Sequence, residues 1–265
     1  MQAFNYHRPA SLREAKAILA ANSEAKLIAG GMTLLPAMKL RLAQPSDLVD
    51  ISGIDGLSGI KDTRGAIEIG ALVRHTDVAH SDVVRASIPA LAELADSIGD
   101  AQVRNRGTLG GSIANSDPAA DYPAAALSLD ATVKTDQREI RSDDYFRGLY
   151  ETALADDELI IAVSFPKPAK AAYVKFPNPA SRYAVVGVMV AETDSGIRVA
   201  VTGAAACAFR ATAMERALSD SFTAAALDGI TVDAADLLSD MHASSEYRAH
   251  LIGVMARRAV KALGG

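Results

Sequence analysis

Two glycine-centred stretches carry the residue types best suited to chemistry: Ala29-Gly30-Gly31-Met32-Thr33 and Thr108-Leu109-Gly110-Gly111-Ser112. Each couples a Gly-Gly pair to a small hydroxyl residue. Lacking a Cβ, glycine reaches positive φ and lets a bulky ligand approach the backbone amides. Consecutive amide N–H groups in such turns form anion-binding concavities, and a nearby helix N-terminus adds to the attraction. Two such turns from separate parts of one chain could hold a diphosphate from both sides, as at the centre of a dinucleotide.

Short elements must position these stretches. Ser11-Leu12-Arg13-Glu14 reads as a capping box, with Leu12, Ala15, Ile18 and Leu19 on one helical face behind it. Residues 26–29 read as a strand entering the first glycine stretch, 34–41 as a helix leaving it, and 48–51 as a second strand, a small βαβ unit. A hairpin follows around Asp62-Thr63-Arg64-Gly65. Two helices are predicted near 76–84 and 88–98, the second capped by Ser87 with Pro89 in its first turn. Beyond the second glycine stretch come a helix over 124–129, strands near 131–141 and a buried strand at 159–163. Pro166, Pro168, Pro177 and Pro179 mark a connecting region. A hairpin around Asp194-Ser195-Gly196 and helices near 211–218, 233–240 and 245–263 close the chain. Three modules are expected: 1–54, 55–167 and 168–265.

Composition excludes several classes. The net charge of −5 argues against nucleic-acid binding. No run approaches the roughly 18 apolar residues of a spanning helix, and no signal-like segment opens the chain, so cytoplasmic residence without membrane insertion is expected. Cys207 is the single cysteine, so no disulfide forms within the chain and no iron–sulfur cluster finds its usual four ligands there. The five histidines, His7, His75, His80, His242 and His250, show no zinc spacing; His75 and His80 read as surface or capping residues. Neither G-x-G-x-x-G nor a P-loop is present. From the residues alone the reading ends at an α+β protein able to hold a diphosphate. Asp121 also fits a helix N-terminus, Tyr183 a half-buried sheet position, and Ile98 and Ile161 a core. Arg104 and Arg106 fit either solvated loop charges or screening of a diphosphate.

Longer stretches resemble a known family. Residues 29–41, Ala29-Gly30-Gly31-Met32-Thr33-Leu34-Leu35-Pro36-Ala37-Met38-Lys39-Leu40-Arg41, are similar to the first FAD loop of the flavoprotein (medium) subunits of molybdenum hydroxylases, which include carbon monoxide and xanthine dehydrogenases. Residues 104–123, from Arg104-Asn105-Arg106-Gly107 to Asp121-Tyr122-Pro123, resemble the second. The opening Phe4-Asn5-Tyr6-His7-Arg8-Pro9 and the late Tyr247 to Ala259 segment fit the same pattern, so the resemblance spans nearly the whole chain.

The resemblance implies a two-part FAD-binding domain of the vanillyl-alcohol-oxidase (PCMH) type and a C-terminal α/β module of the carbon monoxide dehydrogenase flavoprotein type. It implies FAD contacts at Ile28, Ala29, Gly30, Gly31, Met32, Thr33 and Leu34, and again at Gly107, Thr108, Gly110, Gly111 and Ser112. Asp121 falls where the family places a carboxylate on the ribityl or ribose hydroxyls. Ile98 and Ile161 fall where apolar side chains pack on the adenine or ring system, and Tyr183 near one face of the isoalloxazine. Met32 and Asn115 stand where relatives often carry His. Pro177 stands where they carry Arg or Lys, a cation that Lys175 could replace. The implied role is electron transfer, from a [2Fe–2S] subunit fed by a large molybdopterin subunit to NAD, quinone or oxygen, in a dimer of heterotrimers. The alternative is a stand-alone FAD-dependent oxidase of a small alcohol or amine.

Overall fold

The computed structural model describes residues 1–265. Three main sheets and one two-stranded hairpin sheet organise the chain. The first unit holds β1 (Asn5–His7), α1 (Leu12–Ala21), β2 (Ala25–Ile28), α2 (Leu34–Lys39) and β3 (Asp47–Asp50). Its strands form a parallel sheet in the order β1-β3-β2. The expected strand–helix–strand unit is present, with β1 as an added edge. Ser11 caps α1 by accepting from the Glu14 amide, and the Glu14 carboxylate reaches back to the Ala10 N–H at 2.9 Å. That reciprocal bonding is the physical content of a capping box, displaced here by one residue.

The second unit opens with β4 (Ile60–Thr63) and β5 (Ala66–Gly70), followed by α3 (His75–His80), α4 (Asp82–Ser87), α5 (Pro89–Asp96), α6 (Ala101–Arg106), α7 (Leu109–Asn115) and α8 (Tyr122–Ser128). It closes with β6 (Thr132–Thr135), β7 (Glu139–Arg141), β8 (Phe146–Gly148), β9 (Glu151–Thr152) and β10 (Ile160–Pro166). The main sheet runs β4-β5-β10-β6-β7, so the last strand lies at its centre. Three short helices replace the two expected over 76–98. Ser81 is the reason: its side chain accepts from Val84 N, ending one helix and starting the next. Ser87 is the last residue of α4 rather than a cap, and α5 starts on Pro89 with no side-chain cap.

The third unit is a four-stranded sheet, β11 (Lys170–Pro177), β12 (Ala184–Thr193), β13 (Gly196–Thr202) and β14 (Phe209–Arg210), with α9 (Thr212–Asp220) and α10 (Ser245–Ala262). β11 lies where the prolines suggested a connection. Pro177 is tolerated because it sits at the strand end, where the register with β12 shifts. The helix expected over 233–240 is reduced to one 3-10 turn, Ala234–Asp236, started by the Asp233 carboxylate.

The third sheet is buried on both faces, which explains why β12 reads as a continuous apolar run rather than an alternation. Met189 and Ala191 join the core of the second unit, whereas Val188 and Val190 join the core under α9 and α10. Arg198, only 3% exposed, crosses this junction. Its Nε donates to Leu127 O at 2.7 Å, and its other nitrogens pair with Asp130 and Asp143. Removing one member of such a buried network strands the rest. Arg198→Met should lower stability by about 3–5 kcal/mol, read as a fall in the thermal midpoint.

Candidate functional site

The two glycine stretches meet. An added Cβ on Gly30 would lie 2.0 Å from Arg106 O and 2.9 Å from Gly107 Cα, so the first stretch packs directly on the backbone that opens the second. An added Cβ on Gly111 would lie 3.9 Å from the Ala29 Cβ. Ile28 ends β2 and Leu34 starts α2, so both bracket the turn rather than form it. Gly31 takes φ +73°, a left-handed conformation that favours glycine. The N–H groups of Ala29, Gly30, Gly31, Met32 and Thr33 have no acceptor within the chain. Five successive free donors at a partly accessible turn make an anion cradle.

The second stretch works differently from the expectation of an open amide loop. Gly110 and Gly111 belong to the first turn of α7. Leu109 N donates to Val73 O, Gly110 N to Ala71 O, Gly111 N to the Thr108 hydroxyl and Ser112 N to Thr108 O. Those four amides are therefore spent internally. The chain gives no partner to the Thr108 N–H or the Ser112 hydroxyl, and these, with the bare Cα of Gly111, are what this side offers a ligand. Gly110 is needed for packing: an added Cβ would lie 2.6 Å from that of Ala71. Arg104 is also committed, donating to Ile98 O and Gly99 O, while Arg106 remains exposed.

Behind Gly107 lies His75, 5% exposed, neither the surface nor the capping residue expected, since Arg74 holds the cap position of α3. Its amide donates to Gly107 O, and its ring lies 5.3 Å from that of Tyr122. His75 Nδ1 and the Tyr122 hydroxyl are both buried without a partner. Burial, then the charge of Arg104, lowers the His75 pKa to about 4. His80 does end α3 on the surface, its ring bonded to Thr76 O.

A second cluster gathers the remaining candidates. Lys175 Nζ lies 3.0 Å from Asp121 Oδ1 and 2.9 Å from Ser97 O. Arg182 donates to Gly99 O at 3.2 Å. Residues 97–99, including Ile98, are thereby tied to both ends of the 175–183 segment. A cavity of about 470 Å³ opens there, lined by Ser97, Tyr173, Lys175, Asn178 and Arg182 among others. Tyr183, next to Arg182, is 45% exposed; desolvation, then the charges of Asp117, Tyr150 and Asp121, push its pKa up to about 12. It lies in a connection, not in a strand. Ser116, Tyr150 and Arg182 all take left-handed φ without being glycine; such strain, about 1–2 kcal/mol each, persists where surrounding contacts impose it. Ile161 packs on the core of the first unit, and its carbonyl accepts from Ala71 N, which links it to Gly110.

Asp121 is 4% exposed, and its Oδ1 also accepts from the Tyr173 hydroxyl at 2.6 Å. It makes no cap bond to α8. Tyr173 is the residue that sequence reasoning missed. The signal was its i, i+2 spacing to Lys175, which puts both on one face of a strand, hidden by the neighbouring prolines.

Comparison with known proteins fits this geometry. A profile described as the FAD binding domain in molybdopterin dehydrogenase matches residues 2–168, and one for the CO dehydrogenase flavoprotein C-terminal domain matches 171–263. The chain belongs to the FAD-binding medium-chain family of the carbon monoxide and xanthine dehydrogenases. This medium chain is 37% identical to the carbon monoxide dehydrogenase medium chain of Hydrogenophaga pseudoflava, covering 98% of this chain and 96% of the relative. It is 34% identical to the nicotine 6-hydroxylase medium subunit of Paenarthrobacter nicotinovorans, over 100% of this chain and 98% of that one. A solved H. pseudoflava carbon monoxide dehydrogenase, lacking the Mo-pyranopterin moiety, matches with a TM-score of 0.90 over 98% of this chain and 97% of that one, at 37% identity. As a member of this family the chain is an oxidoreductase subunit of mixed helix and sheet. No helix is long and apolar enough to cross a membrane.

Two measurements test this site. Gly30→Ala should separate the stretches and abolish FAD retention, whereas Gly65→Ala, at φ +90° with open space around it, should keep FAD at a cost of about 1 kcal/mol. Flavin absorbance after gel filtration reads both. The folded chain holds His75 neutral and the unfolded chain takes up its proton first. Its stabilisation is therefore complete above pH 6.5 and lost as pH falls towards 4, on the order of 3 kcal/mol in all. His75→Phe should flatten that acid limb in denaturant titrations.

Proposed function

We propose that this medium chain is the flavin relay of a molybdenum hydroxylase, taking electrons from a small [2Fe–2S] subunit and passing them to an external acceptor such as NAD, quinone or oxygen. A large molybdopterin subunit completes the assembly, a dimer of heterotrimers in which the chain contributes three modules, 1–54, 55–167 and 168–265. The observation that carries the reading is the closed pair of glycine stretches with five free amides on one side. A diphosphate needs that donor density and that absence of side chains.

In this reading Ala29, Gly30, Gly31, Met32 and Thr33 donate to the diphosphate through their backbones. Thr108 and Ser112 complete the cradle, with Gly111 keeping it free of side chains and Gly107 and Gly110 letting its backbone pack onto His75 and Ala71. Ile28 and Leu34 fix the ends of the turn. Ile98, Lys175 and Tyr183 gather at the cleft between the second and third units and orient the ring end, while Ile161 supports the second stretch from beneath. Bound FAD supplies the ability to take up electrons singly and release them in pairs. The chain positions and shields that group; the redox chemistry is the cofactor's. No cluster of three or more His, Cys, Asp or Glu side chains is arranged for a metal ion, and the lone Cys207 leaves iron–sulfur ligation to another chain.

Copurification from the native host tests the proposal. Two further chains, with iron and molybdenum in the complex and one FAD per medium chain, are expected. The isolated FAD-loaded chain should oxidise no alcohol or amine. Turnover by the chain alone would favour the oxidase alternative, and a colourless chain that cannot be loaded with FAD would end the flavin reading.

A further inference from the structure

The Asp121 carboxylate is held through one oxygen, Oδ1. The segment before it is stapled to the third sheet: Thr202 Oγ1 donates to Pro118 O and Ala120 O, Gly203 N to Pro118 O, and Ala184 N to Ala119 O. Its Oδ1 takes both the Tyr173 hydroxyl, at 2.6 Å, and Lys175 Nζ, at 3.0 Å. The side chains of Lys175 and Asp121 are 8% and 4% exposed. Room for the Tyr173 hydroxyl depends on Gly187, where an added Cβ would lie 2.3 Å away.

Lys175 carries three donors. One meets Asp121 and another Ser97 O; the third has no acceptor in the chain, and the ammonium lines the 470 Å³ cavity beside Ser97, Tyr173 and Arg182. Ile98 and Tyr183 are the chain neighbours of two of those lining residues. An ion pair shielded from water exerts its field over a longer range than an exposed one. A charge fixed beside a flavin ring shifts its electronic equilibrium.

We propose that Asp121 and Lys175 act as a pair that sets the reduction potential of FAD bound in this cleft. Lys175 favours the reduced, more electron-rich ring. Asp121 is a positioning residue that holds the ammonium at the cavity wall and opposes its field. Neither side chain gains or loses an electron or a proton; both electrons come from the reductant, and the pair acts on the equilibrium alone. The inference rests on the reading of the chain as an FAD carrier.

Redox titration of the FAD-loaded full-length chain with dithionite against a reference dye tests it, with thermal unfolding and FAD affinity measured in parallel. Lys175→Met should lower the ratio of reduced to oxidised flavin at fixed potential about tenfold, or 29.6 mV for a two-electron couple. Asp121→Asn should shift it in the opposite direction. The double variant should return to within about threefold of the parent, since the two field effects oppose each other. Lys175→Arg should keep the parent ratio. A merely structural pair would lower the thermal midpoint in every variant and leave the potential unmoved, which overturns the proposal. A loss of FAD affinity in Asp121→Asn without a shift in potential would also overturn it, because the carboxylate would then grip the cofactor directly. Should Asp121→Asn fail to fold, Lys175→Met against Lys175→Arg decides. Failure of the parent chain to take up FAD would instead defeat the flavin reading on which the proposal stands.

Discussion

Everything at the candidate site depends on one backbone-to-backbone contact, that of Gly30 against Arg106 and Gly107. No side chain fits between them. The contact lets a turn from a small parallel sheet sit against the junction of α6 and α7, which pack in the second unit. Steric exclusion therefore does here what a hydrogen-bonded seam does elsewhere, and it constrains position 30 more tightly than Gly31, whose neighbours are flexible ends of Leu35 and Ile28.

A second constraint is the double burial of β12 and β13. Because one face of this sheet joins the core of the second unit, β11 can present Tyr173 and Lys175 toward Asp121 while Val174 turns toward the opposite core. The strand alternation that buries the sheet also delivers a cation to the cleft. Burial pushes the Asp121 carboxyl up against the pull of Lys175 and Tyr173, so the pair stays together because neither charge has water to retreat to.

Local physics was legible where one signal dominated. Ser11 and Glu14 announced α1, Gly65 announced the β4–β5 turn, and the apolar runs of β12 and β13 announced their hairpin. Signals that compete were misread. Ser81 and Ser87 are both competent caps, but Ser81 caps α4 while Ser87 ends it, and α5 opens at Ile88 and Pro89 with no side-chain cap. Prolines flanking 170–177 outweighed the residues between them, although edge position and a register shift accommodate Pro177. The glycines of the second stretch looked like a loop because a Gly-Gly pair disfavours a helix; Thr108 and the carbonyls of Ala71 and Val73 hold that turn in place. Partners distant in sequence, such as Asp121 with Tyr173 or His75 with Tyr122, leave no local trace.

The free amides of residues 29–33 also bear on how the first unit stays folded. It supplies only Ala15, Ala25, Val49, Ile51 and Ile54 to its buried cluster, the rest being Leu57, Leu72 and Leu159 of the second unit, whose main cluster is far larger. In the proposed reading, an anion from outside would complete a small unit whose central turn lacks internal acceptors. The ligand is then a structural member of the fold, and mass action makes the rigidity of β2 and α2 depend on its concentration. Starved of cofactor, a cell would hold a pool of medium chain whose N-terminal fifth opens first to proteases.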